Sequence, residues 1–188
     1  MKILVFDNYD SFTYNLVQII EQETGRVPDV FRNDKIELEA VQQYDKIVLS
    51  PGPGLPSESG ILMELIKRYA PSKDIFGVCL GLQAIGESFG GKLYNLERVM
   101  HGVATPTQVI KKDLLFEKLP KTFHTGRYHS WALESGNLPK ELEITASDEN
   151  GVIMAIRHKS YKVRAVQFHP ESVLTEHGVQ IMKNWINS

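Results

Sequence analysis

The 188-residue chain reads as one α/β domain, a mostly parallel central sheet flanked by helices with an added antiparallel portion. Two observations predict it. In the first half, short continuous apolar runs alternate with stretches whose apolar residues recur at helical spacing, the pattern of parallel strands buried on both faces and joined by crossover helices. In the second half, strand-like runs follow one another with only turn signals between them, which indicates antiparallel pairing. A 42% hydrophobic and 23% charged composition belongs to an ordinary globular domain with material for a sizeable core. No repeat, low-complexity tract or linker divides residues 1–188, so a single domain is expected.

Taken in order, Lys2 to Phe6 is the first strand. Phe12, Leu16, Ile19 and Ile20 give the following helix its apolar face, with Asp10 or Ser11 as its cap. Val27 to Phe31 and Lys46 to Leu49 are further strands, and Glu58 to Tyr69 is helical. Ile75 to Val78 is the next strand, running directly into a helix that carries Leu82, Ile85 and Phe89. Thr107 to Ile110, Leu142 to Ala146, Val152 to Arg157 and Val163 to Phe168 are the strands of the second half, with Glu149-Asn150-Gly151 among their turns. A closing helix runs near Glu176 to Ile186.

Several function classes are excluded by composition. A formal net charge of −2, with no block of five like charges, argues against nucleic acid as a partner. No apolar run approaches the roughly 20 residues that span a bilayer, so no membrane partner is expected. Met1 to Phe6 is too short for a signal peptide and Asp7 interrupts it. One cysteine cannot form an internal disulfide, and these features together point to the cytoplasm. Cys79 lacks neighbouring cysteines or clustered histidines, so no metal is expected.

The lone cysteine sits in Gly77-Val78-Cys79-Leu80-Gly81, where a strand turns sharply into a helix. A nucleophile on such a turn needs small neighbours, because the backbone is tightly bent and the side chain must stand clear of the sheet. Far downstream, His169-Pro170-Glu171 follows another strand. The residue before a proline is driven into extended geometry, where positions i and i+2 face the same way. Glu171 can then hold one imidazole nitrogen while the other meets the thiol. A glycine-flanked cysteine alone is more often structural than catalytic, and His169 with Glu171 alone could be a surface His and a capping Glu; it is their combination that reads as Cys-His-Glu nucleophilic machinery.

A carbonyl attacked by sulfur also needs donors for its oxyanion. Ser50-Pro51-Gly52-Pro53-Gly54 ends another strand at the same edge, and Gly52 can present its N–H unobstructed. The second donor is the N–H of Leu80, at a helix N-terminus whose free amides and dipole favour negative charge on the sulfur. Standing alone, the proline-glycine loop is simply a rigid turn. Gln83 lies one helical turn beyond Cys79 on the same face, within reach of a substrate, although in isolation it reads as a solvated helix residue.

These motifs resemble the triad-type, class I glutamine amidotransferases, and within them the small subunits that serve anthranilate synthase or its relative in 4-aminobenzoate synthesis. The resemblance spans essentially the whole chain. It rests on Asp7-Asn8-Tyr9-Asp10-Ser11-Phe12-Thr13-Tyr14-Asn15-Leu16, Ser50-Pro51-Gly52-Pro53-Gly54, Gly77-Val78-Cys79-Leu80-Gly81-Leu82-Gln83, Arg127-Tyr128-His129-Ser130 and Gln167-Phe168-His169-Pro170-Glu171-Ser172. It implies a glutaminase with catalytic Cys79, His169 and Glu171 and an oxyanion hole at Gly52 and Leu80. L-Glutamine would be held by Gly52, Pro53, Gly54, Gln83, Ser130 and Trp131.

It also implies a partner, a chorismate-utilising synthase subunit such as component I of anthranilate synthase or of aminodeoxychorismate synthase, which receives the ammonia. No cofactor is implied on this chain, with magnesium expected on the synthase partner. The segment from Asp7 to Asn15 resembles a contact surface for that partner. Two positions depart from the family pattern: Val103 stands where chorismate-linked members usually carry lysine, and Trp131 where leucine is common. The alternatives are the amidotransferase subunit of 4-amino-4-deoxychorismate synthase or of a synthetase such as that for GMP, a γ-glutamyl hydrolase or cysteine peptidase with the same triad, and a non-enzymatic interaction domain.

Overall fold

The computed structural model describes residues 1–188. Its nine strands are β1 (Ile3–Asp7), β2 (Asp29–Arg32), β3 (Lys46–Leu49), β4 (Asp74–Val78), β5 (Leu93–Val109), β6 (Thr122–Leu133), β7 (Leu142–Ser147), β8 (Ile153–His158) and β9 (Val163–Val166). They form one sheet in the order β2-β1-β3-β4-β9-β8-β7-β5-β6. From β2 to β9 all neighbours are parallel, and from β9 to β6 all are antiparallel. The expected mixed α/β architecture is therefore present, with both portions fused into a continuous sheet.

Side-chain alternation explains the layering. Leu4 and Phe6 of β1 enter one core cluster while Ile3 and Val5 enter another, and β3 and β4 divide in the same way. A strand apolar on both faces requires cover on both. On the first face lie α2 (Leu62–Tyr69) and α3 (Leu80–Ser88), contributing Leu62, Leu65, Ile66, Leu82 and Ile85. On the second lie α1 (Thr13–Thr24) and α4 (Gly178–Ile186), contributing Leu16, Ile20, Ile181 and Trp185. Each such side chain stabilises the fold by about 1.5–3 kcal/mol through burial.

Three local expectations are corrected. The helix expected from Glu58 begins only at Leu62, after a short 3₁₀ turn at Pro56–Glu58, because Gly60 turns the chain into left-handed backbone (φ +55°). Phe12 is not on the apolar face of α1: it occupies the N-cap position, exposed, and its side chain supplies no cap. Asp10 instead accepts the Phe12 N–H at 2.9 Å, and Asp7 accepts the Thr13 hydroxyl at 2.7 Å, which ties the turn ahead of the helix. The third correction concerns length: Thr107 to Ile110 is merely the end of the 17-residue β5, which pairs along the 12-residue β6. Polar residues such as Asn95, Glu97 and Arg98 fill that ribbon, and bulges between Asn95 and Met100 and between His101 and Val103 interrupt its alternation. No apolar period announces it.

The consequence for function lies in one sheet edge. Asn8, Ser50, Cys79 and Gln167 follow the carboxyl ends of β1, β3, β4 and β9, the place where open parallel sheets bind ligands. At the opposite edge Asp74 accepts from Lys46 Nζ and from Trp185 Nε1, both at 2.7 Å, and fastens the last helix to the sheet.

Candidate active site

Cys79 stands between β4 and α3 with φ 52° and ψ −100°. For a non-glycine residue this backbone costs about 1–3 kcal/mol and persists only where the surroundings enforce it. They do so here by close packing. A Cβ at Gly77 would lie 2.7 Å from the Gly81 carbonyl carbon, and one at Gly81 would lie 2.7 Å from the Leu49 carbonyl oxygen. Only glycines let α3 approach the strand ends this closely, and the turn lifts the thiol off the sheet.

The loop after β3 lies against the same turn. Its Ser50 hydroxyl accepts the Asn8 N–H at 2.8 Å, and the Asn8 amide donates to the Ser50 carbonyl at 2.9 Å. Asn33 braces Asn8 from behind at 3.2 Å. A Cβ at Gly52 would fall 2.5 Å from the Asn8 carbonyl oxygen and 3.0 Å from the Leu80 side chain. Gly52 and Leu80 are thus neighbours, and Leu80 opens α3, where amides have no intrahelical acceptor.

His169 is held by its backbone. Its N–H donates to the Gly126 carbonyl of β6 at 3.0 Å, and its carbonyl accepts the Thr175 hydroxyl at 2.6 Å. The imidazole Nδ1 is 2.7 Å from Glu171 Oε1, both groups buried. Nε2 carries no hydrogen bond. Burial opposes charge on this ring, but Cys79 on one side and Glu171 on the other outweigh it and push the pKa up to about 10. The rings of Tyr128 and Phe12 stand 4.9 Å and 6.3 Å from it, and the Tyr128 hydroxyl pairs with Ser172 Oγ at 3.1 Å.

A cleft of about 250 Å³ opens over Cys79. It is lined by Gly52, Pro53 and Gly54 of the loop after β3, by Gln83 of α3, and by Val99 to His101 with Tyr128 to Trp131 of the β5–β6 ribbon. Its size suits one small polar molecule, below the roughly 300–1,000 Å³ of drug-sized sites. Every predicted site residue except the buried Leu80, His169 and Glu171 lines it directly. No three His, Cys, Asp or Glu side chains converge as a metal site.

Gln83 is not the solvated helix residue its isolated position suggests. It is buried, and its Nε2 donates to the Trp131 carbonyl at 2.9 Å. That carbonyl also lies 2.8 Å from His129 Nδ1, so it is occupied within the protein and not open to a ligand.

Four residues of the site carry no role in the sequence reading. Gln167, fully buried, donates to Cys79 Sγ at 3.5 Å. His129 receives Arg127 Nε at 3.1 Å, Arg127 Nη1 donates to Asp148 Oδ2 at 2.7 Å, and all three are buried. The extended His169-Pro170-Glu171 segment expected from the proline is instead a turn, closed by the Ser172 N–H on the His169 carbonyl at 3.2 Å, so the pairing of His169 with Glu171 carries no strand period that would have marked Gln167. Nothing local marks Asp148, which reaches the site from the β7–β8 turn.

The class-I glutamine amidotransferase family model matches residues 4–188. The chain is 45% identical over 189 residues to anthranilate synthase component 2 of Porphyra purpurea, covering 99% of both chains. It is 44% identical to the bifunctional protein TrpGD of Thermotoga maritima, where 99% of this chain spans 32% of the longer protein. A solved structure from Thermoplasma acidophilum, described as that of a candidate GMP synthase subunit, superposes with a TM-score of 0.88 at 27% identity, covering 100% of this chain and 92% of that one.

Proposed function

Since the chain belongs to the class-I glutamine amidotransferases, we propose that it is the glutaminase subunit of an anthranilate synthase, hydrolysing L-glutamine and delivering ammonia to a chorismate-utilising synthase subunit. The observation that carries the chemistry is Cys79 on its strained turn beside the buried His169–Glu171 pair. The observation that favours anthranilate is 45% identity to a component 2 along nearly the whole of both chains, against 27% to the candidate GMP synthase subunit.

The steps use residues in place. The Cys79 thiolate attacks the carboxamide carbon of glutamine, and the carbonyl electron pair moves to oxygen, received by the N–H groups of Gly52 and Leu80. His169 gives its Nε2 proton to the departing nitrogen, the C–N bond breaks, and ammonia leaves a glutamyl thioester on sulfur. His169, now neutral, takes a proton from water as it attacks the thioester, the C–S bond breaks, and glutamate departs from a regenerated thiolate and imidazolium. Glu171 orients the ring throughout. Pro53, Gly54, Gln83, Ser130 and Trp131 shape the cleft around the substrate.

The partner surface is the exposed rim of the same edge. Tyr9, Phe12 and Tyr14 before and within α1 are exposed, as are Val99, Val103 and Val173, a concentration of apolar side chains suited to an interface core. Ammonia released under Phe12 and Tyr128 passes directly to the synthase subunit. This chain uses no cofactor, magnesium being held by the synthase. The same reading puts the complex in the cytoplasm, where a free thiol stays reduced.

The test is to capture the partner from the source cell's extract and supply the complex with glutamine, chorismate and magnesium while monitoring anthranilate fluorescence. Cys79→Ala is expected to abolish glutamine-driven product while sparing ammonia-driven product. Survival of glutamine-driven synthesis in that variant would sink the mechanism. Glutamine consumption with a product other than anthranilate would move the chain to 4-amino-4-deoxychorismate synthesis.

A further inference from the structure

The hydrogen bonds behind the cleft form a continuous chain that runs from a buried salt bridge to the nucleophile. We infer that Gln167 is a further catalytic residue, donating a hydrogen bond to the Cys79 sulfur in a direction imposed by a relay that starts at Arg127. This deepens the glutaminase reading and rests on it.

The polarity of the relay follows from its two ends. A guanidinium only donates, so with Nη1 on Asp148 and Nε 3.1 Å from His129 Nε2, His129 Nε2 must accept. The imidazole proton therefore sits on Nδ1, and it is directed at the Trp131 carbonyl, 2.8 Å away, which can only accept. Burial, with Arg127 beside it, holds the His129 pKa down at about 4, in keeping with a neutral ring. The Trp131 carbonyl also takes Gln83 Nε2 at 2.9 Å, which settles which end of the Gln83 amide is nitrogen. The same nitrogen is 3.4 Å from Gln167 Oε1. Gln167 must then present its own NH₂ to Cys79 Sγ at 3.5 Å. A flipped Gln167 would set NH₂ against NH₂ and a carbonyl lone pair against sulfur, two repulsions in a fully buried site.

A hydrogen bond to the ionised form of an acid stabilises that form. The titratable groups facing the sulfur are His169 and, behind it, Glu171, with Asp10 on the neighbouring turn acting on both. His169 leaves the sulfur when it protonates the departing nitrogen, whereas Gln167 has no proton to transfer. Gln167 thus remains a donor to sulfur through thiolate attack and again when the thioester C–S bond breaks.

Cys79 is the single cysteine, so thiol alkylation of the full chain reports on it alone. Gln167→Met keeps the length and removes the donor, and folding is checked by near-ultraviolet circular dichroism. Iodoacetamide is expected to react about three- to tenfold more slowly at pH 7, since lost thiolate is partly offset by higher intrinsic nucleophilicity, with the gap closing by pH 9.5. Gln167→Glu, which sets an acceptor against sulfur while still receiving Gln83, is expected to slow alkylation further and keeps the test open if the Met variant does not fold. Equal alkylation of folded Gln167→Met and the native chain at pH 7, or a deficit that is the same at both pH values, overturns the proposal. A native complex that releases no glutamate would instead overturn the glutaminase reading and leave the alkylation result standing.

Discussion

Two imidazoles flank the cleft at the same depth, His169 being 3% exposed and His129 5%, yet the fold drives them in opposite directions. Burial works against charge on both. His169 lies between a thiol and a carboxylate, which reverse that tendency and take its pKa to about 10. His129 lies between a guanidinium and a backbone carbonyl, and the carbonyl's hydrogen bond is too weak to lift it from about 4. What decides whether a buried histidine can carry a proton is thus the formal charge of its neighbours, not its depth. One ring is equipped to move protons and the other to hold a strand.

The sharpest way to break this contrast is at the charged ring. His169→Asn removes the proton carrier, and glutamine hydrolysis by the complex is expected to fall by about 10²–10⁴-fold, with ammonia-driven synthesis by the partner intact. Glu171→Gln is the gentler cut, keeping a hydrogen bond but removing the charge. The alkaline limb of the pH–rate profile should then move toward neutrality as His169 loses the neighbour that raises it. A limb that stays in place would mean that Glu171 acts by orientation alone.

Smaller effects belong to the stability of the fold, where the two rings have opposite signs. The His129 pKa is depressed on folding, so its contribution is present above the unfolded value near 6.5 and is lost as pH falls toward 4, about 2 kcal/mol between pH 7 and pH 5. The His169 pKa is raised, so its contribution is complete below about 6.5 and is lost as pH climbs toward 10. Urea midpoints measured from pH 4.5 to 9.5 should peak between these limbs. His129→Asn should flatten the acid limb only; an unchanged acid limb in that variant would show that folding does not depress the His129 pKa.

The smallest effect expected on activity is on binding. His129→Asn also shortens the hydrogen bond network under Trp131, which forms part of the cleft wall. The glutamine KM should rise about two- to tenfold, the worth of one neutral hydrogen bond, with kcat falling less. A kcat loss that exceeds the KM change would mean that His129 acts on chemistry and not on the wall.

How legible these features were depends on how locally each is encoded. The elbow could be read because Gly77 and Gly81 flank Cys79 within five residues, and the close approaches at both glycines supply the physical reason. His169 and Glu171 could be read from their closeness in sequence, although not through the extended chain expected: Pro170 and Glu171 lie in a turn closed by the Ser172 N–H on the His169 carbonyl at 3.2 Å, and that turn brings the carboxylate to Nδ1. Gly52 stands out by its two neighbouring prolines, and its packing against Asn8 and Leu80 explains why no side chain fits there. The β5–β6 ribbon was not legible, since a solvent-facing two-stranded ribbon needs no apolar period and its bulges break the alternation that would have marked it.

By itself, then, the sequence determined the sheet class and most of the apolar faces of its strands and helices, and it singled out Cys79, His169 and Glu171 as the candidate nucleophile, base and orienter, because each of these is written in spacings of a few residues. Tertiary structure alone decided the network behind them. Asp148 reaches Arg127 from another turn, Gln83 meets Trp131 across 48 residues, and Gln167 meets Cys79 across 88. Hydrogen-bond polarity depends on which atoms face each other in space, and no local period records that.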